Sequence, residues 1–423
     1  MRIARPQDVH YLALEGGGGK GVTYLGAVRA LERLGVLPID IERPGQNQVK
    51  GISGASAGAI TALLLAMGLR STEIERILSQ PQTFVKFFDE PAEGRLRSVN
   101  RQNRQDIWTG APTGISVGEF VQNRKKQISG KLSNLVGIFA YLVANGLFGT
   151  LNDPIVQRLT SSPDHYLYNL VFDRGLFPGF APRNFFTRAI SGYLSRKILQ
   201  YTGGRIITPL SGGDLNFDLF YQMTGVDLVI TGANVTKHRP GVFSRRHTPR
   251  FPVAEAVGIS MNLPVLFKPV YVEADVPAGR GQLNANADDY HGFWVDGGVL
   301  NNFPLHAFDH LSPQVSTRYP DLRPLHSNML GLRLTEGPPN RLRPSSTNPG
   351  AFSVLLGHLG DLVDTVLYPS EQGQIRTAEE IAQTIDLFTY DLETTEFAPS
   401  EAKRETPVAE AERAVYRYFE KLP

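Results

Sequence analysis

Val49-Lys50-Gly51-Ile52-Ser53-Gly54-Ala55-Ser56-Ala57-Gly58-Ala59-Ile60-Thr61-Ala62-Leu63-Leu64-Leu65-Ala66-Met67 changes character twice along its length. Val49 to Ile52 reads as a short buried strand. Ala57 to Met67 is apolar nearly all round, which predicts a buried helix. Between them lies Gly54-Ala55-Ser56-Ala57-Gly58, a G-x-S-x-G sequence on a strand-to-helix turn. A nucleophile elbow needs that context, because it sets a serine hydroxyl at the top of a sheet on a strained turn. Small neighbours let backbone segments approach without side-chain clashes. The helix N-terminus adds partial positive charge beside the hydroxyl, which favours a developing alkoxide or oxyanion. A lone G-x-S-x-G is more often a small-residue turn without chemistry; here the flanking strand and helix favour Ser56 as a nucleophile.

Upstream, Tyr11-Leu12-Ala13-Leu14 is a second short apolar run and reads as a buried strand. Val22, Leu25, Val28, Leu31 and Leu34 recur every third position and predict a helix that stops at Gly35. Strand, helix, strand, helix in the first 70 residues indicates parallel pairing and an α/β layer fold. Gly16-Gly17-Gly18-Gly19-Lys20-Gly21 joins the first strand to the first helix. A phosphate-binding P-loop fails, because Leu14 stands where its first glycine should be and Gly21 follows Lys20. A dinucleotide fingerprint matches at Gly16, Gly18 and Gly21, but the next strand runs into Ser56 instead of ending in the acidic residue expected about 20 residues on. A third reading is an oxyanion hole, since loops leaving the carboxyl ends of neighbouring parallel strands share one sheet edge.

The 423 residues are 41% hydrophobic and 20% charged, ordinary for a globular protein. At roughly 100–200 residues per domain they allow two or three domains, or one large α/β domain with insertions. Lys and Arg number 43 against 41 Asp and Glu, a net charge of +2, so nucleic acid is not expected as a substrate. The absence of cysteine excludes disulfides, thiolate chemistry and Cys-ligated zinc. Met1 to Pro6 lacks the apolar core of a signal peptide. The longest apolar stretch, Leu132 to Phe148, is broken by Ser133, Asn134, Gly137, Asn145 and Gly146, and falls short of the about 18 clean residues of a spanning helix. The expectation is a soluble, cytoplasmic chain with peripheral membrane contact; its composition is equally compatible with export by a specialised secretion system.

Residues 72–215 alternate helical and irregular pieces and read as a largely helical insertion or cap. Strands resume at Val226 to Ile230, Leu266 to Val272, Phe293 to Val295 and Met329 to Leu334, with a further run at Ile385 to Leu392 and a final polar helix from about Pro407 to Phe419. Nine histidines are present and none lies in a strong motif. Phe293-Trp294-Val295-Asp296-Gly297-Gly298 instead puts a carboxylate at the end of an apolar strand. Partial desolvation there would raise its pKa and strengthen it as a base. An ordinary turn aspartate is the competing reading, and these residues alone leave the two level.

Taken in order, Gly16 to Gly21, Gly54 to Gly58 and Asp296 to Gly298 resemble the patatin-like phospholipase family, which combines G-G-G-x-[KR]-G, G-x-S-x-G and D-G-[GA]. Ala256 to Pro269 and Asn302-Phe303-Pro304 resemble further segments of that family. The resemblance covers about residues 8–80 and 225–305, with a weaker echo over 326–398. It implies a three-layer sandwich with a central, mostly parallel sheet: a catalytic domain over 8–315, and C-terminal strands and helices over 316–423 packing on it. It implies a Ser-Asp dyad of Ser56 and Asp296, oxyanion donors at Gly17, Gly18 and Gly19, and motif positions at Gly16, Lys20, Gly21, Gly54, Gly58, Gly297 and Gly298. No cofactor and no metal are implied. The substrate would be a phospholipid or other acyl lipid taken from a transient membrane surface. Some members act only with a protein or small-molecule activator, so that partner stays open. Two readings compete with hydrolysis: acyl transfer through the same dyad, and a catalytically idle lipid-binding protein.

The apolar run Leu135 to Phe148 follows Arg124-Lys125-Lys126. Apolar surface beside cations suits an anionic interface, as in a lid or membrane-contact element. A buried helix of the cap is the commoner origin of such a run.

Overall fold

The structure is a computed structural model, and it describes residues 2–78, 85–99, 107–108, 119–126, 154–201, 215–273, 287–311, 325–335, 377–392 and 399–420. The candidate lid, Leu135 to Phe148, lies outside these residues.

Tyr11–Leu14 forms β1, whose last three residues are buried. The glycines that follow wind into a 3-10 helix, Gly18–Thr23, which continues as α1, Tyr24–Arg33. The helix expected over 22–34 therefore starts in a tighter turn, a common way to begin a helix. Leu25, Val28 and Leu31 of its stripe are buried. Gly35 follows at φ +75°, in the left-handed region that ends helices. Gly51–Gly54 is β2, and Ser56–Ala66 is α2, buried along nearly its whole surface as its composition requires. Ser71–Leu78 is α3.

The further strands in chain order are β3 (Arg95–Leu96), β4 (Ser98–Val99), β5 (Ile107–Trp108), β6 (Gly175–Phe177), β7 (Asp227–Asn234), β8 (Arg239–Ser244), β9 (Val265–Phe267), β10 (Val270–Val272), β11 (Gly292–Asp296), β12 (Met329–Thr335) and β13 (Thr384–Phe388). Among the described residues the main sheet runs β13-β12-β1-β2-β7-β11-β10-β4, with β8 also on β7. The pairings from β13 to β7 are all parallel. β11 and β8 enter antiparallel to β7. Leu12 and Leu14 join the larger core on one face, while Ala13 joins a smaller cluster with Leu305, Phe308 and Met329 on the other. That alternation is the two-residue period of a strand covered on both sides. The result is a three-layer α/β sandwich around a mostly parallel sheet.

The described residues within 72–215 are tied into this framework. They include the helices Pro154–Ser161, Pro163–Asp173, Phe180–Tyr193 and Ser195–Tyr201. They also supply β4, an edge strand of the main sheet on β10, and β6, which pairs with β9. Residues after 316 supply two strands of the same sheet. They also supply a helix, Glu401–Glu420, that covers α1.

That last helix differs from its expected form in two ways. It starts at Glu401, so Pro407 lies in its interior. Proline lacks the N–H that would bond back to Lys403, and the helix runs on because packing on α1 holds it. It is amphipathic as well: Pro407, Val408, Ala411, Val415, Tyr418 and Phe419 are buried. Gly26 of α1 meets it so closely that a Cβ there would overlap the Val408 carbonyl oxygen. Arg33 pairs with Glu412, and the Tyr418 hydroxyl donates to the Ala382 carbonyl at 2.8 Å while accepting from the Ile3 amide at 3.2 Å. Among the described residues no helix is long and apolar enough to cross a membrane.

Candidate active site

The site is built where two strands meet head to head. Val229 of β7 pairs with Ser53 on one edge and Ser244 on the other; Gly232 pairs with Asp296 and Gly241. β2 and β11 therefore share one edge of β7. They run toward each other along it and stop at Gly54, opposite Ile230, and at Asp296, opposite Gly232. Ser56, just beyond β2, is thereby brought against Asp296 from a position 240 residues away, and its hydroxyl donates to Oδ2 of Asp296 at 2.8 Å.

The backbone of Ser56 is at φ +48°, a conformation that a non-glycine residue rarely adopts. Strain of this kind persists only where the surroundings over-determine it. The Ser56 amide donates to the Ser260 hydroxyl oxygen at 3.0 Å. Gly54 and Gly58 face each other so closely that a Cβ at Gly54 would overlap the Gly58 carbonyl oxygen. The motif glycines are thus required by close approach at the elbow.

Asp296 is fully buried. Burial pushes its carboxyl up to about 7 from 3.8, opposed by the hydrogen bonds from the Gly298 amide and the Ser56 hydroxyl. The Gly298 N–H donates to Oδ1 at 2.7 Å, and the Asp296 amide donates to the Asn262 carbonyl at 3.0 Å. Gly297 packs against Thr231, where a Cβ would overlap its hydroxyl. Asn262 is itself clamped: its Oδ1 accepts from Arg97 at 2.8 Å and its Nδ2 donates to the Lys268 carbonyl at 2.5 Å. Arg97 is 1% exposed, beside the fully buried Glu255 at 3.8 Å.

β1 and β2 pair in parallel with Leu14 opposite Gly54, so the glycine loop leaves the sheet beside the elbow. Gly18, at φ +52°, and Gly19 begin the 3-10 turn, whose first internal bond is Lys20 N–H to the Gly17 carbonyl at 3.0 Å. The opening amides of a helical turn have no partner within it, which leaves those of Gly18 and Gly19 for another acceptor. Both glycines line a cleft over Ser56; Gly17 lies just outside that lining, against Leu334. Gly21 packs on Ala57, and Lys20 is buried. Gly16 is held by Asn302: its N–H donates to the Asn302 carbonyl at 2.9 Å and its carbonyl accepts from Asn302 Nδ2 at 3.2 Å.

The cleft runs from the glycine turn and Ser56 over Ile60, Leu64, Ile74, Phe87, Met261 and Leu263 to Pro399 and Arg404. Of the expected site residues, Gly18, Gly19, Gly21 and Ser56 line this cleft and Asp296 is bonded to Ser56, whereas Gly17 is outside the lining. Ser260 and Asn302 stood in family-like segments with no role attached. Asn262 lies within the same family-like segment as Ser260, and Arg97 and Arg404 gave no sequence signal.

An α/β sheet carrying a strained strand-to-helix serine, hydrogen-bonded to a buried carboxylate, defines the architecture of a nucleophile-elbow protein. Residues 12–309 match the family described as Patatin-like phospholipase. The chain belongs to that family. Among curated proteins it is similar to "Probable lipid hydrolase 463L" of Invertebrate iridescent virus 6, at 28% identity over 91 residues. That alignment covers 22% of this chain and 26% of the viral protein. Among solved structures it is similar to VipD from Legionella pneumophila, with 18% identity and a TM-score of 0.44, covering 98% of this chain and 67% of that one. It is also similar to ExoU from Pseudomonas aeruginosa, solved in complex with SpcU, with 17% identity and a TM-score of 0.36, covering 99% of this chain and 53% of that one.

Proposed function

We propose that this protein is a lipid acyl hydrolase that cleaves carboxylic esters of glycerophospholipids through Ser56 and Asp296. One observation carries the reading: the Ser56 hydroxyl donates at 2.8 Å to a carboxylate that is fully buried and raised to about 7. A carboxyl with that pKa is a competent base near neutral pH. Family membership supports lipid esters as the substrate class.

In this mechanism Ser56 Oγ attacks the ester carbonyl carbon while its proton passes to Asp296 Oδ2. The oxyanion is met by the amides of Gly18 and Gly19 and by the positive end of α2. The intermediate collapses, the C–O bond to the glycerol breaks, and the departing alkoxide takes the proton from Asp296. The acyl group stays on Ser56 with its chain along Ile60, Leu64 and Leu263. Water then gives a proton to Asp296 and attacks the acyl carbon. Collapse returns that proton to Ser56 Oγ and frees the fatty acid.

The test is fatty-acid release from mixed phospholipids by wild type, Ser56→Ala and Asp296→Asn. Release by wild type and loss in both variants is expected. Activity persisting in both variants refutes the dyad, and no release by wild type from any lipid or model ester, either alone or with cell extract added as a source of activator, refutes the hydrolase reading.

A further inference from the structure

The side-chain carbonyl oxygen of Asn302, Oδ1, is buried and accepts no hydrogen bond from the described residues. Such atoms are uncommon in folded proteins, because a buried acceptor without a donor keeps its desolvation cost. This one lies where the three motif segments of the site meet. It fills the place that a Cβ on Gly16 would take, and the Ser56 Cβ lies 2.9 Å from that same point. It is 2.7 Å from the place of a Cβ on Gly298, a point 3.1 Å from Asp296 Oδ1. The two oxygens are therefore within about 6 Å of each other, close enough for a charge on one to be felt by the other. The nitrogen of the same amide faces the glycine loop. Nδ2 donates to the Gly16 carbonyl at 3.2 Å, and the Asn302 main-chain carbonyl accepts from the Gly16 N–H at 2.9 Å.

Side chains of similar size would not serve here. Leucine would leave the Gly16 carbonyl without its donor. Ionised aspartate would lose the donor too, and would set a second anion against the base. An amide is a donor on the Gly16 side and neutral on the Asp296 side. Its backbone is tied to both sides as well. Asn302 caps the short helix Gly298–Asn301, whose first amide holds Asp296 Oδ1 at 2.7 Å. Gly16 leads into the turn that carries Gly18 and Gly19. We infer that Asn302 is a positioning residue of the catalytic centre: its side chain fixes the oxyanion turn and the Asp296 turn relative to each other, without adding charge beside the base. The inference rests on the hydrolase reading above and concerns how the two halves of that site are aligned.

The experiment uses the full chain as wild type, Asn302→Ala and the near-isosteric Asn302→Asp. The substrates are a short-chain soluble ester and a fluorophosphonate that labels the nucleophilic serine. Asn302→Ala is expected to lower kcat about 10–100-fold with KM changed less than about twofold, and to slow labelling of Ser56 by a similar factor. Asn302→Asp is expected to move the rising limb of log kcat/KM upward by about one pH unit or more, because a second carboxylate opposes ionisation of Asp296. Unchanged kcat and labelling in Asn302→Ala overturn the inference. A loss in Asn302→Ala with an unmoved limb in Asn302→Asp overturns it too, since that is how a residue supporting only the fold behaves. A further arm needs no turnover. Asn302→Asp should lower the melting temperature more at pH 8 than at pH 5, and this extra loss should shrink when Asp296 is replaced by Asn. An equal extra loss in both backgrounds overturns the inference. Wild type that neither hydrolyses esters nor takes the label would instead bring down the hydrolase reading, and this inference with it.

Discussion

Replacing Asp296 by Asn should make the protein more stable and inactive, and the gain should grow with pH. Burial raises the carboxyl from 3.8 to about 7, a shift of roughly 3 units, or roughly 4 kcal/mol. Its folded-state pKa is above its unfolded one. Below 3.8 both states hold the proton and nothing is lost. Between 3.8 and about 7 the unfolded chain has released the proton and the folded chain has kept it, so stability falls by about 1.4 kcal/mol per pH unit. Above 7 the loss is constant. Asn carries no such penalty. Its Oδ1 can accept the Gly298 N–H and its Nδ2 can donate to Ser56 Oγ, so both contacts of the site survive in altered form. Unfolding entropy of about 2.1 cal/mol/K per residue over 423 residues is roughly 0.9 kcal/mol/K, so roughly 1 kcal/mol corresponds to about 1 °C. Between pH 5 and pH 8 the melting temperature of Asp296→Asn should rise relative to wild type by about 3 °C. Scanning fluorimetry of both proteins across that range measures it. A difference that stays constant with pH, or shrinks as pH rises, refutes the raised pKa. Loss of the base should lower turnover by about 10²–10⁴-fold.

The same carboxyl sets the rate profile: log kcat/KM for a soluble ester should climb with unit slope toward pH 7 and level above it, and a plateau reaching down to pH 5 would contradict a raised Asp296. Ser260→Ala leaves the Ser56 amide without its acceptor at a strained elbow. It should cost about 1–3 kcal/mol of stability and lower kcat with little change in KM; an unchanged kcat would show that the elbow holds without it. Gly26→Ala forces α1 away from the Val408 carbonyl and should destabilise by about 1–3 kcal/mol, read as a lower melting temperature.

Much of the site is legible in the sequence because its parts are local. The elbow is a strand, small residues and a helix in unbroken succession, and Asp296 ends a strand that its own apolar residues announce. What stays hidden is relative direction. The parallel neighbours β1 and β2 follow from the strand–helix alternation, but β11 enters antiparallel and meets β2 head on, and no residue in either strand encodes that. The Ser260 hydroxyl sits in a helix 204 residues from the amide it satisfies, where it reads as one small residue among others. Arg97 falls in the stretch read as an insertion or cap, with no role attached, and is buried against Asn262. Pro407 misleads for a physical reason: proline favours a helix start, yet packing of the buried face on α1 outweighs the single hydrogen bond it forfeits.

The place of β12 has a consequence for how the chain is made. β1 pairs with β2 on one side and with β12 on the other, so one edge of β1 waits until Met329 has been synthesised. At about 5–20 residues per second, the more than 300 intervening residues take roughly 15–60 s on the ribosome. For that time the nascent protein presents an open parallel edge and the uncovered face of α1, both of which invite wrong pairing. The Gly18–Ser56–Arg404 cleft is completed only when residues 401–420 have been made, so a nascent chain that stops short of them cannot carry the assembled cleft.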